Sequence, residues 1–347
     1  MYKMKKNRIL FCAVFFVAFF NCFGQSKEAK LDSLFGEAHK QKVFNGNVLI
    51  VQKGKKIYEK AFGQADASGA IELNTKYRFH IGSIAKEFNA VGIMMLKEQG
   101  KLKLEDPISK FLPELPSWAE KIKIIHLLQY TSGLPQIKWN QVNQDSDNMA
   151  ELQKTTALDF EPGTKYDYNN NNVFLQRRII EKITGMPFNS FVVKKMLQPI
   201  GIKNGVVDPT ENEKLFAKAY NSNGKQDVIK YNISGWTALN IEDFYKWSEA
   251  INNFKLISPE STKELFVAFS NESQTGLGEG RMESGKVVNH IHDGAASNYQ
   301  ALLISNPNFT IILETNNKQN NLYPISASVQ SILEGKPYTL ISKTTKN

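Results

Sequence analysis

Arg78-Phe79-His80-Ile81-Gly82-Ser83-Ile84-Ala85-Lys86 is the stretch on which the reading of this 347-residue chain turns. Phe79 to Gly82 leads into a long helix, because Ile84, Phe88, Val91 and Met95 recur at helical spacing on one face. Gly100 then offers a C-terminal cap. Ser83 and Lys86 stand three residues apart at the start of that helix and therefore share a face. A serine hydroxyl is a weak nucleophile at neutral pH and needs a partner to take its proton. Burial of the shared face would lower the lysine pKa and leave neutral amine available as that base. The helix N-terminus adds partial positive charge and backbone N–H groups able to hold an oxyanion. Spacing alone is weak, and the chain carries its own control. Ser222-Asn223-Gly224-Lys225 has the same pattern in a polar glycine turn and reads as a solvated loop.

Working outward, Leu31–His39 reads as an amphipathic helix, and Gly46–Gln52 and Lys56–Phe62 as a hairpin turned by Lys53-Gly54-Lys55. Prolines 107, 113, 116, 135 and 162 break up a middle region of helices and turns. Within and beyond it, Val173–Ile183, ending at Gly185, and Pro187–Leu197 read as helical. Ile241–Ile251 is a further helix, with Glu242 and Asp243 in its first turn, where the helix dipole favours acids. Tyr299–Ser305 and Phe309–Thr315 are strands turned by Ser305-Asn306-Pro307-Asn308, and a last helix lies near Ile325–Leu333. The polar run Asn140–Asn148 reads as a solvated loop. This order predicts an α+β fold: one antiparallel sheet built from both chain ends and flanked by helices, with a mainly helical region inserted. The expected boundaries are one domain over 25–340, its sheet from about 40–82 and 285–320 and its helical region over about 83–235.

The first 24 residues differ from the rest. Lys3, Lys5, Lys6 and Arg8 precede an uncharged run from Ile9 to Phe20, followed by Cys22, Phe23, Gly24 and the polar Gln25-Ser26-Lys27. A basic start, a short apolar core and small residues before a polar segment describe a secretory signal peptide, cut after Gly24 or Gln25. The run is short for a membrane anchor. Cys22 offers lipid attachment as an alternative, although Asn21 replaces the small residue expected before such a site. The expected location is therefore secreted or periplasmic, with a lipoprotein as the second reading. Cleavage would remove both cysteines, Cys12 and Cys22, and with them any thiol nucleophile or cysteine-ligated metal. It would also remove four basic residues and no acid, so the formal charge of +9 becomes +5. No basic stripe with interleaved aromatics remains, which argues against nucleic acid as a partner. Mild attraction to an anionic cell envelope is compatible with the residual charge.

Further motifs follow the serine segment in order. They are Gly100-Lys101-Leu102-x-Leu104-x-Asp106, His126-Leu127-Leu128-x-x-Thr131-Ser132-Gly133-Leu134, Pro162-Gly163-Thr164 with Tyr168-Asn169-Asn170, and His292-Asp293-Gly294. Together they resemble the class C β-lactamase-related serine hydrolases, a family of β-lactamases, D-alanyl-D-alanine peptidases and esterases, over roughly residues 31–334. The resemblance implies a β-lactamase/transpeptidase-like fold and an acyl-enzyme formed on Ser83. It implies that Lys86 and Tyr168 handle protons and that Asn170 bonds Lys86 and the substrate's acyl side chain. It also implies that His292, Asp293 and Gly294 lie on the strand beside the pocket, and that the N–H groups of Ser83 and Ala295 form the oxyanion hole. The implied partner is a small-molecule or peptide substrate, and no cofactor is expected.

Plainer readings compete at several positions. His126 reads as structural, bracing the turn after it. His290 and His292 share a strand face, but no His-Glu-x-x-His or other third ligand motif accompanies them, so no metal is expected. Ser146-Asp147-Asn148 spells a motif of class A β-lactamases and penicillin-binding proteins, yet no Lys-Thr-Gly occurs and the spelling is read as coincidental. Three positions depart from the family pattern. Tyr130 stands where a second histidine is frequent, and Trp236-Thr237 replaces a small, glycine-rich turn. Asp293 occupies a place where relatives that bind penicillins carry a hydroxyl for the substrate carboxylate. An aspartate would repel that carboxylate unless His292 or another cation compensates, so within the expected class of ester or D-amino-acid-containing peptide substrates a neutral ester, or a peptide whose C-terminus is masked or distant, fits better than an anionic β-lactam. Cell-wall carboxypeptidase and β-lactamase activity are the alternatives within this chemistry. A non-catalytic binding protein on the same fold is the alternative outside it.

Overall fold

Valine, leucine and isoleucine occupy adjacent positions in Val48-Leu49-Ile50-Val51, Leu302-Leu303-Ile304 and Ile311-Ile312-Leu313, a pattern that suits strands covered on both faces. The computed structural model describes residues 25–229, 233, 235–318 and 321–340, so the expected signal peptide lies outside the described residues. Among these, the strands are Gly46–Gln52 (β1), Lys55–Phe62 (β2), Arg78–His80 (β3), Val206–Val207 (β4), Thr237–Asn240 (β5), Glu279–Glu283 (β6), Lys286–Ala296 (β7), Tyr299–Ser305 (β8) and Phe309–Thr315 (β9). The α-helices are Lys27–Lys40 (α1), Lys86–Glu98 (α2), Ile124–Leu128 (α3), Asp145–Lys154 (α4), Asn170–Thr184 (α5), Phe188–Val192 (α6), Ile241–Asn252 (α7), Pro259–Leu265 (α8) and Tyr323–Leu333 (α9).

Six strands form one antiparallel sheet in the order β2-β1-β9-β8-β7-β6. The paired strands β1 and β9 join opposite ends of the chain within it, as the sequence order predicts. Alternate residues supply two cores. Val48, Ile50, Leu302, Ile304, Ile311 and Leu313 meet Leu31, Phe35, Ile325 and Val329 of α1 and α9. Leu49, Val51, Ala301, Leu303 and Ile312 meet the inserted helical region. A second small sheet, β3-β5-β4, carries the chain into the Ser83 segment.

Two local expectations are revised, and one hairpin has no counterpart among them. Helix α2 is buried on nearly every side rather than on one face, because it runs through the larger core against α5. That burial takes in the charged Lys86 and Glu87. Asn140–Asn148 is not all loop, since α4 starts at Asp145 and turns Asn148 inward to donate to Asn171 Oδ1 at 2.8 Å. The hairpin of β6 and β7, turned by Ser284-Gly285 in left-handed conformation, has half-exposed strands whose apolar pattern is too weak to mark them in the sequence.

Glu314 of β9 is fully buried, and neither carboxylate oxygen has a hydrogen-bond partner among the described residues. Burial, with Asp243 adding to it, pushes its pKa well above the ordinary 4.5. The folded state therefore keeps a proton that the unfolded state releases, so this residue makes stability fall as pH rises above 4.5. Chemical denaturation should find Glu314→Gln more stable than the parent at pH 8, with the gap closing towards pH 4.5. A gap that does not change with pH would contradict a protonated Glu314.

Candidate active site

Ser83 sits in a single 3-10 turn, Gly82–Ala85, between β3 and α2. The turn approaches β7 so closely that side chains are excluded. Gly82 has φ +58°, and a Cβ there would lie 2.3 Å from Ala295 N. A Cβ on Gly294 would lie 2.1 Å from Ile81 O and 2.7 Å from Ser83 N. Strand register fixes which amide is available. Ala296 faces Tyr299 across a two-residue turn, so the close ladder pairs are Ala296, Gly294 and His292, and the N–H of Ala295 points away from β8. The N–H groups of Ser83 and Ala295 are thus neighbours on the side where the turn and strand meet.

Lys86 Nζ donates to Ser83 Oγ at 2.9 Å, and Tyr168 OH donates to the same oxygen at 2.9 Å. Burial, followed by the positive charge of Arg177, lowers Lys86 to about 7. Burial raises Tyr168 to about 12. The lysine ammonium position lies over two rings, 5.0 Å from the centre of Tyr168 and 5.5 Å from that of Trp236. Tyr130, with φ +57°, is buried and packs its ring, tilted by 35°, 4.9 Å from that of Tyr168. His80 is buried beneath the turn. Burial and then the nearby Lys86 lower it to about 3, so its neutral Nδ1 accepts the Gly82 N–H at 2.9 Å.

The cleft above Ser83 has a volume of about 350 Å³ and is lined by Ser83, Tyr166, Tyr168, Gln274, Asp293 and Ala295. A larger hollow of about 430 Å³ near Lys53, Asn252 and Asn308 contains none of these groups. Asn170 opens α5 and shares a tight cavity with Lys86, Arg177 and Trp236, but makes no hydrogen bond to Lys86. His292 differs from its expected place. Its ring is buried and turned inward, with Nδ1 2.6 Å from Glu87 Oε1, because His290, His292 and Gly294 share the core-facing side of β7. It does not line the cleft. Asp293, on the other side of the strand, does.

Glu87, to which no motif in the sequence points, is the hub of a buried cluster. Its Oε1 accepts from His292 and, at 3.2 Å, from His290 Nε2, and its Oε2 accepts from Trp247 Nε1 at 2.6 Å. Burial alone would raise this carboxyl, but His290 and His292 outweigh it and hold Glu87 at about 2. The only signal in the sequence is an acid directly after Lys86 on a helix otherwise rich in apolar residues. Arg177, Tyr166 and Gln274 likewise carry no motif that marks them. His126 accepts the Lys123 N–H on Nδ1 at 3.2 Å and borders Gly163, a bracing position. Among the described residues, no group of three or more His, Cys, Asp or Glu side chains is arranged to hold a metal ion.

A serine carrying a low-pKa lysine and a phenol, set between two backbone amides on an α+β scaffold, is the equipment of an acyl-transferring serine hydrolase. The chain belongs to the Beta-lactamase family, which it matches over residues 31–312, and it is a serine hydrolase. Its relatives include penicillin-binding protein 4* of Bacillus subtilis, 27% identical over 90% of this chain and 78% of its own length. Teichoic acid D-alanine hydrolase of Staphylococcus aureus is 26% identical over 85% and 76%. Among solved structures, the octameric penicillin-binding protein homologue from Pyrococcus abyssi shares the fold with a TM-score of 0.75 and 22% identity, over 88% of this chain and 77% of its own. FmtA from Staphylococcus aureus does so with a TM-score of 0.74 and 21% identity, over 92% and 90%. No helix among the described residues is long and apolar enough to cross a membrane.

Gly294→Ala should lower kcat for a p-nitrophenyl ester on the order of a hundredfold, the usual effect of losing one oxyanion donor. The added methyl cannot fit without moving Ala295 away from Ser83. A circular dichroism spectrum like the parent's would show that the loss is local. Near-parent kcat in the folded variant would mean that this strand contact does not serve the reaction.

Proposed function

We propose that Ser83 is the nucleophile of an acyl-enzyme hydrolase acting on esters or D-alanine-containing substrates. One observation carries this reading: Ser83 Oγ lies 2.9 Å from both Lys86 Nζ and Tyr168 OH at the foot of the cleft. Neutral Lys86 takes the hydroxyl proton as Oγ bonds to the substrate carbonyl carbon, and the carbonyl oxygen turns towards the amides of Ser83 and Ala295. As the bond to the leaving group breaks, Tyr168 gives that group its proton and is resupplied from Lys86. Water then attacks the acyl-enzyme along the reverse proton path and regenerates Ser83. Asn170 borders the lysine and is assigned to the substrate's acyl side. Gly294 keeps the strand close enough for Ala295 to act. The names of the relatives, penicillin-binding proteins and a D-alanine hydrolase, support the D-alanine class of substrate. Their association with cell-wall polymers also supports export, with residues 1–24 removed as a signal peptide.

The mature protein should hydrolyse at least one of a p-nitrophenyl ester, a D-alanyl-D-alanine peptide and a chromogenic cephalosporin, and Ser83→Ala should abolish that turnover together with fluorophosphonate labelling. Because Lys86 must be neutral to accept the proton, kcat/KM should rise with pH through about 7 and level off above it. Lys86→Arg should remove that limb and nearly all activity. Labelling that survives in Ser83→Ala would sink the assignment.

A further inference from the structure

We propose that Asp293 recognises a positively charged group on the substrate, so that this hydrolase prefers esters carrying an ammonium close to the scissile bond. The inference rests on the reading of Ser83 as nucleophile and adds to it the charge of the substrate. Six residues line the cleft over Ser83, and Asp293 alone among them carries a formal charge. Lys86 cannot neutralise it from the cleft, since it is buried beneath Ser83 and occupied by the serine oxygen. No lysine, arginine or histidine forms an ion pair with Asp293 among the described residues, and its only hydrogen bond there is a long one, from Tyr323 OH to Oδ1 at 3.3 Å. His292, the neighbouring side chain, is committed to Glu87 on the opposite side of the strand.

Distance along the strand makes the carboxylate relevant to catalysis. Asp293 and Ala295 are two residues apart on one face, which separates them by about 7 Å. A substrate whose carbonyl oxygen rests on the Ala295 amide therefore has atoms two to four bonds away within reach of the carboxylate. An unpaired carboxylate in a partly enclosed cleft attracts an ammonium, accepts its N–H groups and repels a carboxylate at the same place. The ammonium could belong to an aminoacyl group, such as a D-alanyl ester with its free amine, or to the alcohol that leaves. Both present the same chemistry to Asp293.

Two matched pairs distinguish these sources at pH 7, read as kcat/KM. D-alanine methyl ester against N-acetyl-D-alanine methyl ester tests the acyl side. Acetylcholine against 3,3-dimethylbutyl acetate tests the leaving side. The parent should favour the cationic member of at least one pair by about tenfold: the D-alanyl ammonium adds a charge-assisted hydrogen bond, and the trimethylammonium, which has no N–H, adds charge attraction alone. Asp293→Asn should bring that ratio close to one, and Asp293→Lys should bring it below one. Each ratio is taken within one variant, so a general loss of activity cancels. Tyr323→Phe removes the only hydrogen bond to Asp293 among the described residues and should keep the cationic preference. If it instead behaves like Asp293→Asn, the aspartate merely anchors α9 and the proposal fails. Ser83-dependent hydrolysis with no cationic preference in either pair, or a preference that survives Asp293→Asn, overturns this inference alone. Ser83-dependent hydrolysis of the peptide or the cephalosporin but of none of these esters also overturns this inference alone, whereas hydrolysis that persists in Ser83→Ala overturns the underlying reading with it.

Discussion

The backbone contact between the Gly82–Ala85 turn and β7 is the constraint around which the molecule is arranged. Two amides from distant parts of the sequence must converge on one point, and only glycines at 82 and 294 let the chains come that near. The sheet places β7 from one side, through its pairing with β8. On the other side, β3 delivers the turn and α2 continues from it through the larger core. The Glu87 cluster ties these supports together behind the site. An acid on the first turn of α2 bonds two imidazoles of β7 and the indole of α7, so helix, strand and second helix are joined by buried hydrogen bonds. Buried polar groups of this kind are costly unless fully satisfied, and satisfied ones specify a single geometry.

The same dry surroundings set the proton chemistry. Removing water penalises whichever form of a group is charged, which lowers a lysine and raises a tyrosine. Lys86 at about 7 and Tyr168 at about 12 are two results of one cause, with Arg177 sharpening the first. The resting site therefore holds a partly neutral amine and a neutral phenol on one oxygen. That combination suits the roles proposed above, the amine as acceptor of the first proton and the phenol as carrier, and because the two share Ser83 they titrate as a pair.

Much of this arrangement is legible in the amino-acid sequence. Strand runs such as Leu302-Leu303-Ile304 are unambiguous because burial on both faces leaves no polar residue to blur them. Ser83, Lys86, Tyr168 and Asp293 come from motifs separated by up to 210 positions, and the order of those motifs along the chain suggests that they meet. Orientation is what the sequence leaves open. A strand alternates faces, so His292-Asp293-Gly294 contributes its aspartate to the cleft and its histidine to the core, and the motif does not say which goes where. Helix α2 looks amphipathic because Lys86, Glu87 and Asn89 are polar. Tertiary partners, not water, satisfy Lys86 and Glu87. Asn148 misleads in the same way, as a polar residue bonded inside the protein.

Glu87 raises a final point about charge. An ionised carboxylate next in sequence to the lysine proposed as the base would ordinarily stabilise its ammonium and spoil it for that role. Successive helix residues project about 100° apart, so Glu87 faces away from Ser83 while Lys86 faces it. The carboxylate also has nothing to spare: both its oxygens are engaged by His290, His292 and Trp247. The influences on Lys86 are accordingly burial and Arg177, both of which lower it, and Glu87 does not offset them. The cluster can thus brace the strand through a full negative charge and leave the lysine able to act near neutral pH. The separation depends on the two imidazoles as much as on the helix. Without them the buried carboxylate would lose both donors to its Oε1, and Lys86 is its neighbour in sequence.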